Sequence, residues 1–197
     1  MTFKLCRPGS SGMGKSTTEK IFAELGCTVW DADAAVHRLY MPGGAAVAPM
    51  QAQFPEAIVD GAVDRSALKD IIARDPSALP RIEKIVHPLV AEDRAEFRRT
   101  AASDILVFDI PLLFETGGEA AMDAVACVTV DAETQKQRVL DRGTMTVEQF
   151  EQILQKQMPI EEKRARGDYV IETDTLEHAR AQVEQILAEI RRKMADA

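Results

Sequence analysis

Positive charge is scarce in this chain: 24 Lys and Arg stand against 32 Asp and Glu, for a formal net charge of −8. No block of like charge is long enough to form a tail. A surface of that sign argues against non-specific binding to nucleic acid or to an anionic membrane. It says little against a small anionic substrate, since a few local Lys and Arg make a basic pocket on an acidic protein. Cysteine is sparse too. Cys6, Cys27 and Cys127 each lie in or beside an apolar run and none belongs to a C-x-x-C pair, so reduced core thiols are expected rather than a disulfide scaffold or a zinc site. No apolar run approaches the roughly 20 residues of a membrane-spanning helix. Lys4 and Arg7 interrupt the stretch that a signal peptide would need. Internal repeats are absent, and only residues 43–48 are compositionally simple. The expectation is a soluble, cytoplasmic protein, monomeric or a small homo-oligomer, with no nucleic-acid or membrane partner.

What is present is ordinary for a globular enzyme. The 197 residues are 46% hydrophobic and 28% charged, enough for one compact unit with a sizeable core. Short apolar runs rich in β-branched residues recur at 3–6, 27–30, 105–108, 125–130 and 169–171, with helical patterns between most of them. Strands alternating with helices predict βαβ units and a mostly parallel sheet covered on both faces. The last helix carries its apolar stripe on Leu176, Ala179, Val183, Ile186, Leu187 and Ile190, read here as core. Two stretches break the alternation. Residues 31–100 show helix after helix, with only 58–63 hinting at extended chain. Residues 143–167 form a charged helical segment opened by a capping-box pair, Thr146 and Gln149. Both are expected to leave the sheet at its carboxyl edge, where open α/β sheets bind ligands.

The segment Gly9-Ser10-Ser11-Gly12-Met13-Gly14-Lys15-Ser16-Thr17 satisfies G-x-x-x-x-G-K-[ST]. Glycines let backbone N–H groups curl around phosphate oxygens. Lys15 supplies a mobile cation for the β- and γ-phosphates, and Ser16 offers a hydroxyl to Mg²⁺. A chance Gly/Ser turn is the alternative, but an apolar strand precedes the loop and a helical run follows it. The chain is therefore expected to bind ATP with Mg²⁺ on a P-loop NTPase fold, three layers α/β/α around a mostly parallel five-stranded sheet. Its core spans about 1–30, 101–142 and 168–197, with an acceptor-binding helical insertion at about 31–100 and a helical lid at about 143–167.

Asp109 closes the apolar run Ile105–Phe108, the position of a carboxylate near Mg²⁺, although an ordinary turn residue is the alternative. Asp31-Ala32-Asp33 follows the second strand directly. A hydroxyl acceptor needs a carboxylate to orient it and take its proton. Helix capping explains one of these aspartates but not both. His37, four residues after Asp33, shares its face if a helix begins there. Pro88 is expected to end or kink the helical stretch 79–100, with His87 beside it either facing a ligand or structural.

In order and spacing, the phosphate loop, Asp31–His37, Val86-His87-Pro88-Leu89, Val107–Glu115, Val128–Asp131, Gln157–Lys163 and Asp168–Ile171 resemble the dephospho-coenzyme A kinase family. The resemblance spans nearly the whole chain. It implies transfer of the ATP γ-phosphate to the ribose 3′-hydroxyl of dephospho-coenzyme A, with ATP and dephospho-coenzyme A as the small-molecule substrates. By the same resemblance Asp33 is the base, while His87 and Pro111, Leu112, Leu113 and Glu115 lie along the acceptor site. Asp31 and His37, next to Asp33 in the chain, are expected there as well, and Lys15 is expected to act in catalysis as the cation on the β- and γ-phosphates. Arg142 is the lid arginine expected to reach phosphate, with Arg138, Lys163, Arg164 and Arg166 nearby. Two other readings are a P-loop kinase for a nucleoside or nucleotide, against which D-x-D and H-P discriminate, and a non-catalytic ATP switch, which has no use for a poised carboxylate.

The pattern departs from the family at Cys6-Arg7-Pro8, where an apolar residue, Thr and Gly are usual, and at Ser11, where an apolar residue is common. A charge and a missing donor in a central strand are expected to cost stability unless compensated. On that reading, replacing Arg7-Pro8 with Leu-Thr would stabilise the fold.

Overall fold

The computed structural model describes residues 2–143, 145–155 and 157–196. In chain order, β1 (Phe3–Cys6), α1 (Lys15–Glu24) and β2 (Thr28–Asp31) come first. Then follow α2 (Ala32–Tyr40), α3 (Val47–Gln53), β3 (Ile58–Val59), β4 (Ala62–Val63), α4 (Arg65–Arg74) and α5 (Ala78–Thr100). The remainder is β5 (Ile105–Asp109), β6 (Ala124–Thr129), α6 (Ala132–Asp141), α7 (Val147–Gln155), α8 (Ile160–Arg166), β7 (Tyr169–Glu172) and α9 (Leu176–Ala195). The chain divides into two compact units: Met1–Val29 with Ala102–Ala197, and Trp30–Ala101.

The first unit is built on a five-stranded sheet in the order β2-β5-β1-β6-β7. β1 runs parallel to β5, with Cys6 opposite Phe108, and to β6, with Leu5 opposite Ala124; β6 runs parallel to β7. Every residue of β5 and β6 is buried, which is why these strands read as unbroken apolar runs. Leu5, Val107, Val128 and Ile171 share one core with Phe22 of α1 and the α9 stripe at Val183, Leu187 and Ile190. Leu176 is the exception to that stripe: it opens α9 and is 56% exposed. The three thiols are free and buried. Burial pushes Cys6 up to about 12 and Cys27 and Cys127 up to about 11, so all three stay protonated at neutral pH. No helix among the described residues is long and apolar enough to cross a membrane.

The expected conflict at Arg7-Pro8 does not arise, because β1 ends at Cys6. The Arg7 N–H still donates to the Phe108 carbonyl at 2.8 Å, and the Pro8 carbonyl accepts from the Val128 N–H at 3.2 Å. Pro8 thus belongs to the loop, where its missing donor costs nothing, and Arg7 is buried against partners described below. Ser11 is exposed, so its polarity costs nothing either.

The second unit packs Leu39, Met50, Phe54, Leu68, Ile82 and Val86 into its own core. Residues 58–63, which only hinted at extended chain, form the hairpin β3–β4. Its turn is Asp60-Gly61, both at positive φ (50° and 76°), the left-handed pair that a two-residue hairpin demands. Asp31 and Asp64 cap α2 and α4, accepting from the N–H groups of Ala34 and Ala67 at 2.5 and 2.7 Å. Asp93 on α5 accepts from the Trp30 indole at 2.7 Å and from Arg38 of α2 at 2.7 Å, which fastens α2 to α5. Of the two outcomes expected at Pro88, an end or a kink, the helix does not end there: α5 runs on to Thr100. His87 and Pro88 are both exposed. A lost i→i−4 bond is cheapest on that face, where water replaces it.

Candidate active site

The phosphate loop joins β1 to α1, and two of its carbonyls are tied to neighbouring elements. Gln135 of α6 donates its amide to the Ser11 carbonyl at 2.8 Å, and the Thr173 hydroxyl donates to the Met13 carbonyl at 2.9 Å. The first-turn N–H groups of α1 add the anion-attracting end of a helix to the loop. Gly12 and Gly14 sit at φ of 80° and 84°. A Cβ at Gly14 would lie 2.6 Å from the Thr173 hydroxyl, and one at Gly12 2.7 Å from the Gln135 carbonyl. Both positions therefore need glycine twice over, for backbone conformation and for room. The Lys15 side chain folds back over the loop, its Cγ 3.2 Å from where a Gly9 Cβ would be.

Lys15 Nζ lies 3.6 Å from Asp109 Oδ1, at the end of β5. The other oxygen, Oδ2, accepts from Arg7 Nη2 at 2.9 Å. Asp109 is 3% exposed and Arg7 fully buried, so one carboxylate serves two cations in a dry setting. Ser16, in the first turn of α1, is exposed beside them. Ser16 and Asp109 together offer the hard oxygen donors that Mg²⁺ takes alongside phosphate and water.

A cavity of about 320 Å³ adjoins the loop, lined by Gly14, Thr17, Arg138, Arg142, Thr173, Asp174, Thr175 and Leu176. Arg138 is oriented by two bonds, to the Thr173 hydroxyl at 3.0 Å and to its carbonyl at 2.7 Å. Leu176 is exposed because it lines this cavity rather than the core. Thr173 and Gln135 were not anticipated. The available signal for Thr173 was its place one residue past β7, at the carboxyl edge of the sheet.

The segment expected to act as a lid begins with the anticipated capping box. Thr146 Oγ accepts from the Gln149 N–H at 3.3 Å, while the Gln149 side chain accepts from the Thr146 N–H at 2.9 Å. Thr144 and Lys156 lie outside the described residues. Past α7, Gln157 accepts from the Ser10 hydroxyl of the phosphate loop at 2.6 Å. The cations of α8 are spent inside the first unit. Lys163, fully buried, pairs with Glu115 at 2.9 Å, and Glu115 also accepts from the Met158 N–H at 3.0 Å. Arg166 pairs with Glu119 and lies over the Phe114 ring, 4.8 Å from its centre. Arg164 reaches Glu172 at 3.4 Å. Burial raises the Glu115 pKa, but hydrogen bonds from Lys163 and the Met158 N–H outweigh it, and the carboxyl sits below its ordinary value. In the preceding turn Leu113 and Phe114 are buried, Pro111 is half-buried and Leu112 is 46% exposed.

In the second unit, Asp31 spends its carboxylate on the cap of α2. Asp33, in the first turn, is exposed, and so is His37 one turn on. The Asp33 carbonyl accepts from Arg65 at 3.5 Å, and the Arg65 guanidinium lies 5.7 Å from the Tyr40 ring centre.

A phosphate loop leaving the central strand of a parallel sheet, with its lysine beside a carboxylate on the neighbouring strand, is the build of a P-loop kinase. The family model for dephospho-CoA kinase matches residues 6–178. The chain belongs to the dephospho-CoA kinase family, a family of transferases. A dephospho-CoA kinase of Ruegeria pomeroyi is 71% identical over 191 residues, covering 97% of both chains. One of Cereibacter sphaeroides is 60% identical over 195 residues, covering 99% of this chain and 98% of that one. The crystal structure of TT1252 from Thermus thermophilus superposes with a TM-score of 0.84 at 31% identity, over 95% of this chain and 97% of the other. Dephospho-CoA kinase from Campylobacter jejuni shares the fold, with a TM-score of 0.70 at 22% identity over 98% and 99% of the two chains.

Proposed function

We propose that this protein transfers the γ-phosphoryl group of ATP to the ribose 3′-hydroxyl of dephospho-coenzyme A, the last step of coenzyme A synthesis, in the cytoplasm. The observation that carries the reading is the phosphate loop itself: two of its carbonyls are tied to Gln135 and Thr173, and Lys15 stands beside Asp109. The loop N–H groups and Lys15 hold the β- and γ-phosphates. The adjoining cavity, lined by Leu176, Arg138 and Arg142 among others, suits the nucleoside of ATP. Arg142 adds positive charge where the equatorial oxygens of the transferring group accumulate negative charge. Mg²⁺, when bound with ATP, neutralises phosphate charge, and Ser16 and Asp109 are the residues that would hold it.

The acceptor side belongs to the second unit. Asp33 is the base: its carboxylate is exposed, whereas that of Asp31 is occupied in capping. The 3′-oxygen attacks the γ-phosphorus as the bond to the β–γ bridging oxygen breaks. ADP departs, and the hydroxyl proton passes to Asp33. The acceptor role of His37, His87, Pro111, Leu112, Leu113 and Glu115 rests on the family resemblance; His37 and His87 are exposed on the second unit, and in the first Leu112 is exposed and Leu113 buried. Residues 143–167 close as a lid. One chain carries every residue required, so the protein acts as a monomer or a small homo-oligomer.

The test is ADP release with ATP, Mg²⁺ and dephospho-coenzyme A, with AMP and adenosine as comparison acceptors. A product heavier than dephospho-coenzyme A by one phosphoryl group is expected. Faster turnover of AMP or adenosine would favour a nucleotide or nucleoside kinase instead, and ATP binding without any transfer would leave only a nucleotide switch.

A further inference from the structure

Arg7 has no part in the contacts to nucleotide or acceptor described above, yet it is among the most thoroughly anchored side chains in the molecule. Its guanidinium is fully buried one residue past β1. It reaches three partners on two further elements. Nη2 donates to Asp109 Oδ2 at 2.9 Å, at the end of β5. Nη1 donates to the backbone carbonyl of Lys15 and to the Thr18 hydroxyl, the latter at 2.6 Å, both in the first turn of α1. The Thr18 hydroxyl in turn donates to the same Lys15 carbonyl at 2.9 Å.

Compensating the charge of Asp109 requires only the first of these bonds. The bonds to α1 do something else: they tie the residue that carries the phosphate-binding ammonium to the ends of two strands. The ring closes through Lys15 itself, whose Nζ lies 3.6 Å from the second oxygen of Asp109. A guanidinium is rigid and planar, with its donors in a fixed fork, so three partners held at once leave little freedom to any of them. From these contacts we infer that Arg7 is a positioning residue for the nucleotide: it sets the first turn of α1 against β1 and β5, orients the Asp109 carboxylate, and through both places the Lys15 ammonium. The inference rests on the ATP-binding role proposed for the loop.

A double-mutant cycle separates positioning from charge compensation. Arg7→Leu, Asp109→Asn and the double variant are compared with the natural protein by the dissociation constant of ADP without Mg²⁺. Leaving the metal out removes the Mg²⁺ role of Asp109 from the measurement. Thermal midpoints are read alongside, and circular dichroism checks folding. Arg7→Leu alone strips a cation from a buried carboxylate, so its midpoint falls; in the Asp109→Asn background that penalty disappears and the midpoint recovers. Nucleotide affinity should not recover. The double variant is expected to bind ADP roughly 10–100-fold more weakly than Asp109→Asn, the usual cost of removing a supporting contact behind a binding group. Arg7→Lys, which keeps the charge but not the fork, should fall between the two. If the double variant binds ADP as tightly as Asp109→Asn, Arg7 only balances charge and the inference is overturned. Should the natural protein itself bind no ADP, it is the role of the loop that fails, an outcome read from a different sample.

Discussion

The ammonium of Lys163, with no exposure to solvent, sits 2.9 Å from the Glu115 carboxylate, and Glu115 accepts the Met158 N–H as well. Two residues expected to serve different tasks, Glu115 at the acceptor site and Lys163 at the close of the charged 143–167 segment, are thus joined. Met158 and α8 are latched to the turn after β5 by one carboxylate. Glu115 is the carboxylate paired with this buried ammonium, and such a pair is strongly destabilised when one partner is removed.

Removing the carboxylate should therefore be worse than removing both charges. Glu115→Ala is expected to cost about 3–5 kcal/mol, the scale for orphaning a buried ion. Glu115→Ala combined with Lys163→Met should recover most of that loss. Urea unfolding midpoints measure both, and equal stability of the two variants would mean that Lys163 draws nothing from Glu115.

The same pair gives a pH dependence. The pKa of Glu115 is depressed in the folded protein, so its contribution is complete above the ordinary glutamate value of about 4.3. It is lost as pH falls through the lower folded value. After correction for the intrinsic chemical rate, which itself falls with pH, the hydrogen-exchange protection of the amides at 158–166 should drop on acidification, and this drop should vanish in Glu115→Gln. Persistence of the effect in that variant would assign it to another group.

Lys15→Ala is expected to leave the fold intact and nearly abolish turnover, since it removes the mobile cation from the β- and γ-phosphates. Steady-state kinetics with circular dichroism as the folding control decide it. A folded variant with undiminished turnover would remove the phosphate loop from the reaction.

Asp33→Asn should retain ATP binding and lose roughly 10²–10⁴ in kcat, the usual contribution of a general base. Asp31→Asn should change kcat little, because asparagine caps a helix about as well as aspartate. The reverse ranking would exchange their roles.

Leu176→Gln should raise KM for ATP several-fold with kcat nearly unchanged, because Leu176 lines the cavity beside the loop and touches no reacting group in the proposed mechanism. A fall in kcat with KM unchanged would move the nucleoside out of that cavity.

Much of this was legible in one dimension because it is local. Glycines at 12 and 14, the capping box at Thr146 and Gln149 and the apolar runs of β5 and β6 each follow from backbone sterics or from burial on both faces of a strand. Such features are written within a few residues of where they act. Leu176 misled for the same reason. Helical spacing places it on the α9 stripe, but the stripe's first turn reaches past the core to a cavity wall that periodicity does not register.

What only the tertiary structure decided is where the charges go. By itself the sequence determined a parallel α/β kinase core, a phosphate loop and two helical excursions, because period and turn chemistry carry that information. Read alone, Arg7 was a fault in a central strand and Lys163 a lid cation. Each is in fact buried against a carboxylate distant in the chain, Asp109 and Glu115 respectively. The sign of such a residue's contribution depends on whether a counter-charge and hydrogen-bond partners lie within about 3 Å of it in a dry setting. That distance is set by how the strands stack, not by spacing along the chain, and so Leu-Thr in place of Arg7-Pro8 now reads as the loss of an anchor rather than the repair of a strand.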